Sequence, residues 1–398
     1  MLKGASLAVD IFSNCVFIIY VHALPRTGAL LFCGRGVVLS KESNVFHRIR
    51  SFAAMLALGG VLISAPVSAA EKPVDIPFMG CYVEEHPVVT SVWKAFFEEA
   101  EAKFAGKIAF SYYAENMLYS SQAESSQGIF DGRAAFGAIR PAMHPEEFRL
   151  LGVINIPGLA SNAVIGSLVL SDLIDKFPVV REDLRGKTEH FTAWASAAYQ
   201  LHTKDPVHTL KEVEGRNIVV WDAVSHAMVR EMGATPVMVS PPDTYWTLQR
   251  GLADGIMCPL APLKAYRLTG LVKHHLLLDA MVQGFIMEAS HKYWKAMPKS
   301  MQKWFKAEGG SKMALAIGQT LEERAQAEIA VMETMGHKFC QLPASEEEAF
   351  QKVKETMTER WKEYCKGIDP KLSDEVLAFA RARAEFHTRE WNAGKYRD

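Results

Sequence analysis

Residues 214–255, EGRNIVVWDAVSHAMVREMGATPVMVSPPDTYWTLQRGLADG, spell a strand, helix, strand, helix, strand unit. The run Ile218, Val219, Val220, Trp221 is apolar and β-branched, which predicts a strand. Ser225 is placed to cap a helix carrying Met228, Val229 and Met232, and Gly233 is placed to close it before a second strand from Pro236 to Val239. Pro242 opens a further helix through Leu248, and Gly251 ends it ahead of Asp254 and Gly255. Alternation of this kind argues an α/β architecture with a parallel-rich sheet covered by helices.

The same order recurs upstream. A strand is expected from Pro77 to Val83 and a helix from Thr90 to Phe104, with Val92, Phe96, Phe97 and Ala100 at core spacing. Gly106 turns into a strand from Lys107 to Tyr113, a helix covers Ser121 to Phe130, and a strand follows from Ala134 to Ile139. Towards the C-terminus, apolar residues recur every three or four positions from Lys312 to Met335 and from Ser345 to Lys366, as in long amphipathic helices.

With 398 residues, 49% apolar and 22% charged, the chain can bury one or two full cores. Its N-terminus has the order of an export signal. Arg48 and Arg50 precede the apolar run from Phe52 to Val67, and Val67, Ser68 and Ala69 form a small-residue cleavage site. Cleavage near Ala69 or Ala70 and a periplasmic location are expected. Residues 1–44, with an extra apolar run from Leu7 to Tyr20, read as a miscalled upstream extension, with a membrane anchor as the alternative. Residues 45–70 are then the signal peptide. Without residues 1–70 the chain carries 38 basic and 43 acidic residues, a net charge of −5. That balance, with no basic stripe, opposes nucleic-acid binding. Cys81, Cys258, Cys340 and Cys365 are far apart and in no C-x-x-C pattern. They are compatible with a disulfide or with buried free thiols, and argue against zinc.

Read as an ordered set, these motifs resemble the solute-binding proteins of tripartite ATP-independent periplasmic (TRAP) transporters, the DctP-type family. Gly233-Ala234-Thr235-Pro236-Val237 and then Asp243, Tyr245, Leu248, Gln249, Gly251, Asp254 and Gly255 fall in the family's order. His86, Trp93 and Phe97, the segment from His144 to Gly158, and Tyr293 to Gln302 extend the likeness over the mature chain. The resemblance implies a periplasmic binding-protein fold with two α/β lobes, a ligand cleft between them, crossover strands and long C-terminal helices. It places the first lobe at about 71–195 plus later segments, the second at about 196–290, and bracing helices at 291–398. It also implies capture of a small solute by lobe closure, with small and large membrane permease subunits as partners, no cofactor, and a monomer.

Two departures bear on the ligand. Most members of the family carry an arginine where this chain has Val219, and an asparagine where it has Cys258. The usual bidentate carboxylate anchor is therefore missing. Arg140, directly after a predicted strand, is the candidate replacement, and reads equally as a surface arginine beside Pro141. Trp221 at a strand end is a candidate for stacking on ligand, with core packing as its alternative. Tyr82, Trp194, Tyr199, Tyr245 and Trp246 are weaker candidates, each with a core alternative, and Cys258 enters by position. Glu85, after the first strand, reads as a ligand contact or as a solvated or capping residue. Two ligand chemistries stay open: an organic anion on Arg140, or a neutral or cationic solute in an aromatic cage with Glu85 and Asp222.

Catalytic signatures are lacking. The sequence has no G-x-S-x-G, P-loop, strand-linked G-x-G-x-x-G or H-E-x-x-H. Ser225 and His226 are helix neighbours and cannot face each other. His274 and His275 read as a solvated pair on a polar turn. An ATP-driven importer's binding protein and an enzyme on the same scaffold are the alternatives.

Overall fold

The computed structural model describes residues 73–114, 117–118 and 124–396, together with four short strands within residues 8–39. Met1–Ala70 makes a unit of its own. In it Ala8–Phe12 (β1) pairs antiparallel with Cys15–Ile19 (β2), and Leu31–Cys33 (β3) with Val37–Leu39 (β4). The Leu7 to Tyr20 run thus holds a strand pair, while the expected signal segment and its cleavage site lie outside the described residues. Among the described residues no helix is long and apolar enough to cross a membrane.

Glu71–Asp398 forms the second unit. It runs through Val74–Met79 (β5), a π turn Val88–Trp93 passing into Lys94–Lys103 (α1), Ile108–Tyr113 (β6), Ser125–Phe130 (α2) and Phe136–Ile139 (β7). Ala163–Lys176 (α3) and Thr188–Ala195 (β8) follow. Next come Gln200–Thr203 (β9), Asn217–Val220 (β10), Ala223–Glu231 (α4), Thr235–Met238 (β11), Thr244–Gln249 (α5), Gly255–Cys258 (β12), Ala261–Ala265 (α6) and His274–Leu277 (β13). The chain continues through Gly284–Ser290 (β14), His291–Ala296 (α7), Lys299–Glu308 (α8), Gly310–Thr334 (α9), Lys338–Gln341 (β15), Glu347–Tyr364 (α10) and Pro370–Asn392 (α11).

Two mixed sheets result. The first has the order β6-β5-β7-β14-β8, with β5 parallel to β6 and β7, and β14 antiparallel to β7 and β8. The second has the order β11-β10-β12-β9-β13-β15, with β10 parallel to β11 and β12, and β9 antiparallel to β12 and β13. By pairing, residues 284–290 belong to the first sheet and 338–341 to the second. The motif helix is capped by Asp222, not Ser225: its Oδ1 accepts from the backbone N–H groups of Val224 and Ser225 at 2.9 Å, and Ser225 Oγ donates to its Oδ2 at 2.8 Å. A carboxylate satisfies two orphan donors and complements the positive end of the helix. Gly233, at φ +82°, closes that helix in the left-handed conformation that only glycine adopts without strain.

The chain passes between the sheets after β8 and again after β13, and the two links pair with each other. Ser196 N donates to Gln283 O at 2.9 Å, Tyr199 N to Met281 O at 2.8 Å, and Ala280 N to Tyr199 O at 3.1 Å. A third passage is α9, which begins where Thr192 Oγ1 of β8 donates to Gly310 O at 2.9 Å and ends just before β15 of the second sheet. It packs on α3 closely enough that a Cβ on Gly318 would stand 2.9 Å from Val164 Cα. α10 also touches both halves: Phe350, Val353 and Met357 enter the core of the second sheet, whereas Trp361 enters that of the first.

Candidate ligand-binding cleft

Arg140 leaves the C-terminal end of β7 in an extended conformation. Its Nη2 donates to Cys81 O at 3.4 Å, and its guanidinium lies 5.6 Å from the centroid of the Phe285 ring. Phe285 stacks on Trp194 at 5.3 Å, and Trp194 Nε1 donates to the Tyr82 hydroxyl at 3.0 Å. Tyr82 in turn stacks on His86 at 3.9 Å, while its carbonyl accepts from the Tyr112 hydroxyl at 2.7 Å. Arg140, Tyr82 and Trp194 are thus joined through Phe285. Trp194 is fully buried, so it positions Tyr82 and offers no face of its own to a cleft. His86 Nδ1 accepts from Val88 N at 3.2 Å, and burial, then the charge of Arg324, push its pKa down to about 4.

The charge on Arg140 reaches beyond its own sheet. Burial pushes the Tyr82 and Tyr199 phenols well up, and neighbouring Cys81 and Asp222 respectively add to this, but Arg140 lowers both. Burial raises the pKa of Asp222, and the hydrogen bonds from Ser225 and Val224 and, after them, the charge of Arg140 offset only part of that rise. Tyr199 lies in a link between the sheets, with its hydroxyl on Gln283 Oε1 at 3.3 Å, and Asp222 starts a helix of the second lobe. One guanidinium therefore sits within electrostatic range of both lobes and their hinge.

On the second lobe, Trp221 follows β10 half-buried, donating from Nε1 to Thr244 Oγ1 at 2.9 Å with its ring edge-on to Tyr266 at 5.6 Å. Tyr245 is half-buried, its hydroxyl accepts from Gln249 Nε2 at 3.4 Å, and its ring meets Trp246 edge-on. Trp246 is 56% exposed with Arg250 over its ring, a surface pair. Glu85 is exposed in the turn after β5.

Val219 and Cys258 lie in one apolar cluster, with Leu248, Ala253, Ile256 and Leu260. Ile218 and Val220 face the opposite core, as strand alternation requires. The Cys258 side chain is fully enclosed, and burial raises its thiol well above the usual range. The two departures from the family pattern thus occur together in one packed face. Among the described residues no disulfide forms; Cys81, Cys258 and Cys365 are buried and Cys340 is half-buried.

His275 corrects the sequence reading. It lies on β13, fully buried, because β9 and β15 flank that strand on both sides. His202 Nδ1 is 2.8 Å from His275 Nδ1, and His275 Nε2 is 2.8 Å from His337 Nδ1. His202 Nε2 is 3.0 Å from Cys258 O, a group that can only accept. That acceptor assigns the whole line: Nε2–H on His202, Nδ1–H on His275 and Nδ1–H on His337, all three rings neutral. Burial first, and neighbouring histidines next, hold His275 down to about 2, and burial holds His202 to about 4. The three residues are spread over 136 positions of sequence, and only the strand pairing brings them together.

A family model for bacterial extracellular solute-binding protein, family 7, matches residues 80–366. The chain belongs to that family. This family 7 protein is 20% identical over 313 residues to the C4-dicarboxylate-binding periplasmic protein DctP of Rhodobacter capsulatus, covering 76% of this chain and 91% of that one. Its fold is that of TRAP solute-binding proteins. It superposes on one from Rhodoferax ferrireducens in complex with copurified benzoate at a TM-score of 0.72, with 19% identity, covering 79% of this chain and 99% of that one. A second, from Bordetella bronchiseptica with bound (R)- and (S)-mandelate, gives a TM-score of 0.69, also at 19% identity, with the same coverage.

Proposed function

We propose that this family 7 protein is the extracytoplasmic receptor of a TRAP-type secondary transporter, capturing a small organic acid whose carboxylate sits on Arg140. The observation that carries this reading is the Arg140 guanidinium, held 5.6 Å from the Phe285 ring at the end of β7 with Nη2 on Cys81 O, its charge reaching Tyr199 and Asp222. An aromatic wall of half-buried Tyr82, backed by the buried Phe285 and Tyr199, suits a compact, flat carbon skeleton, and the relatives that hold benzoate and mandelate are in keeping with that class. In this reading Trp221 and Tyr245 close on the solute from the second lobe, while Glu85, exposed in the turn after β5, stays in solvent. Trp194 and Cys258 support the lobes from inside, and Trp246 lies outside the cleft. The cationic-cage alternative is weakened because Asp222 is engaged as a helix cap.

The solute passes unchanged to the small and large membrane subunits, and the mature receptor, cut near Ala69 or Ala70, acts as a monomer. Bound solute recovered chemically altered would instead favour an enzyme. The test of the anchor is a thermal-shift and calorimetric panel of aromatic and aliphatic acids against amines. A charge-assisted hydrogen bond contributes roughly 1.5 to 3 kcal/mol, so Arg140→Ala should weaken the best acid by about 10- to 100-fold. Arg140→Lys should restore little, since an ammonium cannot form the planar fork. Equal binding by parent and Arg140→Ala, or stabilisation by amines alone, would remove the proposal.

A further inference from the structure

α9 changes lobes within about one turn. Leu321 belongs to the aromatic core of the first lobe, against which Tyr82 packs. Ala325 belongs to the cluster of the second lobe, against which Trp221 and Tyr245 pack. The helix thus runs from one candidate wall of the cleft to the other, and Arg324 stands on the turn where it changes sides. At about 3.6 residues per turn, Arg324 and Glu328 fall on the side of α9 away from Gln319, Glu323 and Gln326, which line a separate groove with Trp391 and Tyr396 of the C-terminus.

The Arg324 side chain is 33% exposed, so it reaches solvent from this seam. Its charge lowers the pKa of His86, second to burial, which sets the guanidinium within electrostatic range of the ring that stacks on Tyr82. Glu328 lies one turn further along α9, with its side chain 4% exposed, and pairs with Arg324. No hydrogen bond reaches Glu328 Oε1 among the described residues, so the guanidinium is what compensates the buried charge. The pairing holds Arg324 in place and cancels its net charge. One carboxylate oxygen cannot occupy all five N–H groups of a guanidinium, and the others stay available as donors.

We propose that Arg324, oriented by Glu328, is the second polar anchor of the cleft, and that it selects monocarboxylic acids carrying a neutral hydrogen-bond acceptor at the end remote from the carboxylate. The inference rests on the Arg140 reading, since Arg140 takes the carboxylate. Neutrality of the second group follows from the pair: a keto or ether oxygen gains a donor there, whereas a second carboxylate meets the charge of Glu328.

4-Isopropylbenzoate, 4-acetylbenzoate and terephthalate share one outline and differ in the distal group, which is apolar, a neutral acceptor or an anion. They and their 3-substituted isomers are titrated into the purified protein by calorimetry. In at least one series the acetyl acid should bind about tenfold more tightly than the isopropyl acid, as one hydrogen bond to a charged donor predicts, and at least about fivefold more tightly than the diacid. Glu328→Gln leaves the cation uncompensated and should reverse the order of the last two, so that the diacid binds best. Replacing both partners, Arg324→Met with Glu328→Gln, removes donor and charge together and should bring the three acids within about twofold of one another. The proposal is overturned if the parent ranks the three acids equally in both series, if the parent prefers the diacid, or if the parent's ranking survives in the double variant. If the acids bind with equal affinity and Arg140→Ala abolishes their binding, Arg324 falls and the Arg140 anchor stands; if none of the acids binds the parent, both fall. Should Glu328→Gln fail to fold, the ranking on the parent and on the double variant still decides.

Discussion

At the scale of single residues, Val219 determines how far the ligand chemistry of relatives can be carried over. Its side chain points into a packed cluster with Cys258, Leu248 and Ile256, so an arginine there would place an unpaired charge among apolar groups. Val219→Arg is expected to cost at least about 3 kcal/mol in urea unfolding and to add no affinity for organic acids. A variant as stable as the parent and tighter for acids would show that this face opens to the cleft. Asp222 is a second such position. Asp222→Ala removes the acceptor for two backbone N–H groups and should lose about 1 to 2 kcal/mol, whereas Asp222→Asn keeps Oδ1 and should lose less. Equal losses in the two variants would argue against the cap.

Among the elements, the pairing of β9, β13 and the approach to β15 builds the histidine line and makes it acid-sensitive. The rings are neutral in the folded protein, with His202 held to about 4 and His275 to about 2, while an unfolded histidine titrates near 6.5. The unfolded chain therefore takes up protons first as pH falls. Stability from this line is complete above about pH 6.5 and declines from there towards about pH 4, because the interior of the line has no free lone pair for a proton. His86, also held to about 4, adds to the same window. Denaturant midpoints between pH 7.5 and 4.5 should fall, and fall less steeply in His202→Gln, whose amide can still donate to Cys258 O. A pH slope identical in the variant would show that the line does not titrate on unfolding. β14 carries a second buried constellation, with Glu288 on Arg181 Nη1 at 2.9 Å, His190 Nδ1 at 2.9 Å and Thr188 Oγ1 at 2.7 Å. Burial raises the Glu288 pKa, but Arg181 and His190 outweigh it, and the carboxyl is held below its usual range. Glu288→Leu leaves Arg181 without its partner, and a loss of about 3 to 5 kcal/mol is expected in the same assay.

For the whole molecule, the paired links at 196–199 and 280–283, with α9 and α10, are the physical connections about which two lobes can rotate. Small-angle scattering should show a smaller radius of gyration when a stabilising acid from the thermal-shift panel is saturating. An unchanged radius would count against capture by closure. Export is tested by the N-terminus of the native mature protein, expected at Ala70 or Glu71; a start upstream of Arg48 would exclude the signal reading.

The sequence by itself determined the α/β class, the strand and helix order of 214–255 and the family, because each rests on local periodicity, turn residues and their spacing. It also marked Arg140, since a cation directly after a strand is a local feature. What it left unseen needs contacts across the chain. α3 is buried nearly all round, so it carries no amphipathic stripe to read. β14 returns to the first sheet and β15 joins the second because of non-local hydrogen bonding that no short window encodes. The same is true of side chains: Trp194 and Cys258 read as candidates by type and position, and the packing of two sheets put both inside. His202, His275 and His337 form a line only because tertiary structure sets which faces are enclosed and which polar groups find partners.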